Sequence, residues 1–99
     1  MRCRAMKAPL LHCRELHCVR PLWREGDSYV RGANAVFDSG HFYAISGSEG
    51  CGKNLLLHVL GLLEQPDTGE VWLSGTNTTE LPAPARDALR LRHIGFLFP

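Results

Sequence analysis

Seven residues, Gly47-Ser48-Glu49-Gly50-Cys51-Gly52-Lys53, constrain this chain more than any others. They lie between a short β-prone run at 41–46, with Phe42, Tyr43 and Ile45, and a leucine-rich stretch at 54–63. Glycine at the first and sixth positions followed by lysine is the spacing of a loop that wraps phosphate. The glycines let the backbone turn so that successive N–H groups point inward at anion oxygens. A helix starting there adds its unpaired N–H groups and the positive end of its dipole. Lys53 brings a full positive charge to the outer phosphates, and Gly50 leaves room for close backbone approach. With 10 Gly and two Lys in 99 residues, the pattern arises in roughly one shuffled chain in fifty. The competing reading is a plain glycine turn, but a strand before and an apolar helix after make that coincidence rarer still.

The pattern departs from its usual form at the last position, where a Ser or Thr hydroxyl meets Mg²⁺. Asn54 stands there and Leu55 follows, so no neighbouring hydroxyl can substitute. An amide oxygen is a hard neutral donor, but it sits one atom farther out, and Mg²⁺ tolerates little geometric error. Phosphate binding is therefore expected to survive better than productive metal binding.

Around the loop, residues 16–19 open a strand that Pro21 ends or confines to a sheet edge. Residues 24–28 (REGDS) form a turn cluster. Residues 29–37 form a second strand, weakened by Gly32 and Asn34, and the pair reads as antiparallel. Residues 38–40 (DSG) turn. The stretch 54–63 carries leucine or valine on nearly every face, which predicts a helix buried all round. Gly61 within it costs about 1 kcal/mol against Ala, which points to a close contact there. Residues 65–69 (QPDTG) end that helix. Residues 70–74 alternate, with Val71 and Leu73 on one face and Trp72 on the other. A short helix is expected over 85–92 and a further strand over 94–98. Residues 1–12 read as a loose leader, and 13–99 as one partial domain.

Cysteine and charge narrow the options. Cys13 and Cys18 in LHCRELHC lie five apart with no Cys-x-x-Cys spacing, which fits zinc poorly. In an unbroken strand, residues an odd number apart point to opposite faces. The net charge is +1, which argues against nucleic acid as a partner. Residues 1–31 carry a surplus of four basic charges, read as a solvated end. The longest mainly apolar run, nine residues at 55–63, falls short of the roughly 20 that span a bilayer.

These residues resemble the N-terminal part of an ABC transporter ATP-binding subunit, over about 16–98. LHCVRPLW is similar to the family's first strand and aromatic A-loop, GSEGCGKN to its Walker A segment and GEVWLSG to its next strand. LRLRHIGFLF resembles the run into the Q-loop. LLHVLGLLEQPDTGEVWLSG and RHIGFLF look closest to the lipoprotein-release and macrolide-export subgroup. The resemblance implies an α/β fold of the P-loop NTPase type. An antiparallel β subdomain would join the first strand–loop–helix unit, with the core sheet incomplete.

It also implies ATP held by Gly47, Ser48, Glu49, Gly50, Cys51, Gly52, Lys53 and Asn54. Trp23 would lie on the adenine, and Mg²⁺ would occupy a weakened site at Asn54. The implied partners are a membrane-spanning transporter subunit and a second ATP-binding subunit. The implied location is cytoplasmic, peripheral to the inner face of the cell membrane. Pro99 falls where the family has its Q-loop Gln, and the sequence holds no Walker B carboxylate, signature motif or switch His. A chain so truncated is expected to bind nucleotide weakly and not to hydrolyse it alone. The alternative is a non-catalytic remnant or interaction fragment without nucleotide turnover. Made alone it should be marginal and prone to aggregate, because the loop strand and the apolar helix lose their cover.

Overall fold

The computed structural model describes residues 9–23, 26–46 and 52–97, without the side chains of 22, 23 and 26–28. Four strands form one sheet: β1 Leu11–Trp23, β2 Gly26–Phe37, β3 Thr68–Leu73 and β4 Thr76–Asn77. Their order is β2-β1-β3-β4, and every neighbouring pair is antiparallel. Helix α1, Lys53–Leu60, packs on one face. A 3-10 turn, Thr78–Glu80, leads to helix α2, Ala83–His93. No helix among the described residues is long and apolar enough to cross a membrane.

The expected antiparallel pair is present and longer at both ends than the pattern indicated. β1 begins at Leu11, within the stretch read as leader. Pro21 sits inside β1, but β3 stops pairing with β1 at His17, so Pro21 has a strand on one side only. That is the edge position a residue without an N–H can occupy.

The alternation of β1 breaks at Arg14 and Glu15, which together oppose Asn34 of β2. Glu15 has φ +47°, and its backbone N–H donates to Asn34 Oδ1 at 3.0 Å. Asn34 Nδ2 donates in turn to Glu15 Oε2 at 2.6 Å. The asparagine side chain thus fills the gap that the bulge opens in the ladder. β2 answers with its own irregularity at Gly32, φ +61°. β3 answers with Gly69, φ +99°, where a Cβ would overlap the Arg14 and Glu15 carbonyls. The bulge resets the parity of β1, so Cys13, Leu16 and Cys18 all face the core. The opposite-face expectation for the two cysteines fails for that reason.

The core joins these residues to Val30, Val71 and Leu73 from the sheet and Leu55, Val59 and Leu60 from α1. Buried Thr78 donates its hydroxyl to the Val71 carbonyl at 2.7 Å. Val71 and Leu73 face inward and Trp72 outward, as the alternation indicated. Helix α1 is not buried all round: Leu57 is 46% exposed. The helix also ends earlier than expected, at Leu60. Gly61 caps it, and Leu62 takes the left-handed conformation at φ +66°. Leu62 N–H donates to Val59 O at 3.1 Å and Leu63 N–H to His58 O at 2.9 Å. This is the pairing of a Schellman motif, with leucine at the site glycine usually holds. Gly61 does make the close contact expected of it, since a Cβ there would overlap the Phe96 ring.

Two expected strands do not form. Residues 41–46 and 94–97 have no regular secondary structure and lie outside the sheet, though Ile45 and Ile94 pack on the core. A strand needs a neighbour to close its hydrogen bonds, and neither run has one among the described residues. Helix α2 spans the expected stretch with Pro84 in its first turn, where a missing N–H costs nothing.

Candidate functional site

The site assembles where α1 starts against β2, the outermost strand among the described residues. Gly52 is the N-cap of α1 at φ +87°. A Cβ there would overlap the Tyr29 carbonyl, so glycine is required by conformation and by space. Its carbonyl accepts from Leu56 N–H at 2.9 Å, closing the first helical turn. Among the described residues no side chain caps the helix, and its first turn holds no acidic residue. The start of a helix is where backbone N–H groups can meet an anion.

Lys53 opens the helix and lines a cavity of about 360 Å³ together with Tyr29, Arg31, Ser46, Gly52 and Leu56. The Arg31 guanidinium lies over the Tyr29 ring, 4.6 Å from its centroid. The cavity carries two cations and no carboxylate among its described lining residues. Tyr29 and Arg31 were not singled out from the sequence, because no spacing rule ties them to the glycine loop. The close approach of Gly52 to the Tyr29 carbonyl and the Val30 side chain brings β2 beside Lys53.

Of the sequence-predicted site residues, Gly52 and Lys53 share this cavity. Asn54, one step round the helix, faces a separate groove of about 680 Å³, also lined by Tyr43, Leu57, His58, Ile94 and Phe96. His58 Nδ1 lies 2.7 Å from the Asn54 carbonyl, and Tyr43 is held by Asp38 N–H donating to its hydroxyl at 2.9 Å. Gly47, Ser48, Glu49, Gly50 and Cys51 lie outside the described residues. The backbone of Trp23 pairs with Gly26 at the end of the β1–β2 hairpin; its side chain lies outside them too.

Phosphate fits the described start of α1, with its left-handed glycine and Lys53. Among the described residues no three His, Cys, Asp or Glu side chains are placed to hold one. The LHCRELHC segment does not supply such a site. Cys13 and Cys18 are buried, and their Sγ atoms point to the Ala33 and Gln65 carbonyls at 3.8 Å. Burial pushes both thiols above their usual pKa, so they stay protonated. His12 leaves on the opposite face, stacked on Trp72 at 5.7 Å.

The link from α1 to β3 is latched onto the half of β1 that β3 does not reach. Asp67 N–H donates to His17 O at 2.8 Å, and Asp67 Oδ2 accepts from Val19 N–H at 2.8 Å. Arg20 donates to Asp67 Oδ1 at 2.9 Å and to the Gln65 carbonyl. The Val19 N–H bond first, and the Arg20 guanidinium second, hold the Asp67 carboxyl below its ordinary pKa. This latch ties the link between α1 and β3 to β1.

Comparison with known proteins follows the same outline. The family model described as ABC transporter matches residues 30–98. The macrolide export ATP-binding/permease protein MacB of Chlorobium luteolum is 39% identical over 94 residues, 95% of this chain and 14% of that protein. The lipoprotein-releasing system ATP-binding protein LolD of Hahella chejuensis is 32% identical over 93 residues, 94% of this chain and 40% of its own length. LolD of Maricaulis maris is 45% identical over 69 residues, 70% of this chain and 30% of its own. A dimeric structure of the ATP-binding cassette MJ0796, in a post-hydrolysis state bound to ADP and Pi, superposes with a TM-score of 0.71 at 25% identity. The superposition covers 81% of this chain and 34% of that one. The chain thus spans two fifths or less of each of these proteins.

Proposed function

This chain belongs to the ABC transporter family, and from that premise we propose that it is the nucleotide-holding portion of a transporter's ATP-binding component. The observation that carries this reading is the start of α1: left-handed Gly52 against the Tyr29 carbonyl, with Lys53 at the mouth of a cationic cavity. In the proposed complex, Gly47, Ser48, Glu49, Gly50, Cys51 and Gly52 offer backbone N–H groups to the phosphates. Lys53 places its ammonium on the outer phosphates, and Trp23 lies on the adenine. Asn54 offers an amide oxygen toward Mg²⁺, which when bound would offset phosphate charge. Asn54 stands where a hydroxyl is usual, so this metal site would be weakened. The component would work at the cytoplasmic face of a membrane, against a membrane-spanning subunit and a second ATP-binding subunit. The names of the MacB and LolD relatives support transport, and the dimeric MJ0796 cassette supports pairing.

Titration with ATP tests the reading. Binding that Lys53→Ala weakens at least ten-fold is the expected result; binding indifferent to Lys53, or absent, refutes it. The second reading, a non-catalytic remnant or interaction fragment, is favoured by one observation, the Asn54 amide in place of a hydroxyl. It predicts no Lys53-dependent binding, so the same titration separates the two.

A further inference from the structure

We infer that Asp67 and Arg20 are a positioning pair for the nucleotide site: from the far flank of the β1–β2 ribbon they hold the rung on which Gly52 rests. This deepens the nucleotide reading above and rests on it. Neither side chain lines the Lys53 cavity, so the pair acts through the strands between. β3 pairs with β1 only as far as His17. Beyond that point β1 and β2 are a ribbon of two strands among the described residues, and two strands alone are marginal. The Val19 N–H lies past the reach of β3 and donates instead to Asp67 Oδ2 at 2.8 Å. A carboxylate oxygen thus stands in for the carbonyl of a neighbouring strand. Pro21, two residues on, has no N–H to satisfy.

Arg20 fixes that carboxylate. Its guanidinium donates to Asp67 Oδ1 and to the Val19 carbonyl, each at 2.9 Å, and to the Gln65 carbonyl. Its Nε lies 3.5 Å from Glu64 Oε1. Glu64, Gln65 and Asp67 of the α1–β3 link therefore converge on one arginine of β1. The rung carries this to the site. Val19 is paired with Tyr29. The Val19 N–H is turned away from β2 toward Asp67, so by the alternation of an antiparallel ladder the Tyr29 carbonyl is turned away from β1. That is the carbonyl that Gly52 packs against, directly ahead of Lys53. Asp67 and Gly52 thus flank one pair of residues from opposite sides. Loosening the Asp67 flank frees that pair to shift, and with it the seat of the helix start.

The test is titration of the 99-residue chain with ATP, using wild type, Asp67→Ala, Asp67→Asn, Arg20→Gln, Lys53→Ala and Thr78→Val. Thr78→Val is the control for stability alone: it removes the buried hydroxyl bond to the Val71 carbonyl and lies outside the cavity. Circular dichroism checks that each variant is folded at the titration temperature. Asp67→Ala and Arg20→Gln should each weaken ATP about five-fold, the scale of residues that act on a ligand without touching it. Asp67→Asn keeps an oxygen for the Val19 N–H and should lose less than Asp67→Ala; where the alanine variant is unfolded, Asp67→Asn and Arg20→Gln carry the comparison. Thr78→Val should bind like wild type. Hydrogen exchange of the Leu56 amide, which closes the first helical turn on the Gly52 carbonyl, should quicken more in Asp67→Ala than in Thr78→Val; equal exchange in the two overturns the inference. If the Asp67 and Arg20 variants bind ATP like wild type while Lys53→Ala does not, the inference falls and the nucleotide reading stands. The inference falls alone, too, if Thr78→Val loses as much as they do, because stability then explains the loss. If Lys53→Ala binds like wild type, or wild type does not bind, the nucleotide reading fails and the inference with it.

Discussion

Truncation of two leucines two positions apart on α1 should give opposite results. Leu55 is fully buried, at 0% exposure, between the helix and the sheet, while Leu57 is 46% exposed on the rim of the larger groove. Leu55→Ala removes the whole branched end of a side chain that has no contact with water. Transfer and cavity contributions together make this about 3 kcal/mol. A domain of this length holds about 5–15 kcal/mol in total. With a urea dependence near 1 kcal/mol per molar for so small a chain, the midpoint should move down about 3 M. Leu57→Ala loses contacts on one side only and should stay within about 0.5 kcal/mol. Where the alanine variant at 55 is unfolded without urea, Leu55→Val gives the smaller step, about 1 kcal/mol. The assay is equilibrium urea unfolding followed by far-UV circular dichroism. Equal losses at 55 and 57 would refute the reasoning, because they would require a helix covered on every face.

Gly52→Ala should destabilise by about 1–3 kcal/mol through its left-handed φ and its overlap with the Tyr29 carbonyl; it should lower ATP affinity as well, read by thermal melting and titration side by side. The Asp67 carboxyl has its pKa lowered in the fold, so its contribution is complete above about pH 4 and is lost as pH falls through the folded value. Asp67→Asn should therefore show a shallower loss of stability between neutral and acid pH than wild type, by less than about 1 kcal/mol because the pair is half exposed. An unchanged acid limb in urea titrations would contradict this. Asn54→Ser should increase the Mg²⁺-dependence of ATP affinity, and identical behaviour of the two proteins would sink the weakened-metal reading. The isolated chain should elute partly as soluble aggregate in size-exclusion chromatography, given that β2 has one neighbouring strand among the described residues and that the larger groove is partly apolar; a clean monomer with a cooperative melt would oppose it.

The sequence carried the parts of the structure that depend on near neighbours. The β1–β2 pairing, the facing of Val71, Leu73 and Trp72, and helix α2 all follow from periodicity and turn residues. What it hid depends on distant partners. Residues 41–46 have strand composition, but a strand exists only beside another. The apolar face of α1 was legible, yet which leucines are covered depends on where the sheet lies. The end of α1 was obscured because Leu62 adopts a conformation that leucine seldom takes, while the adjacent glycine does not. In the site, Gly52 and Lys53 were legible from spacing. Tyr29 and Arg31 join them only through the packing of β2 on the helix start.

The bulge at Arg14 and Glu15 means that β1 consists of two segments in opposite phase. Any comparison that tracks inward and outward positions along this strand must change phase once, between Cys13 and Leu16. Loss of a single residue at 14 or 15 would keep composition and charge almost unchanged. It would nonetheless rotate Leu11 and Cys13 into solvent, or carry Leu16 and Cys18 there instead. A single-residue deletion at this point is therefore more severe than most point substitutions, and Asn34, Gly32 and Gly69 can accept change only together with it.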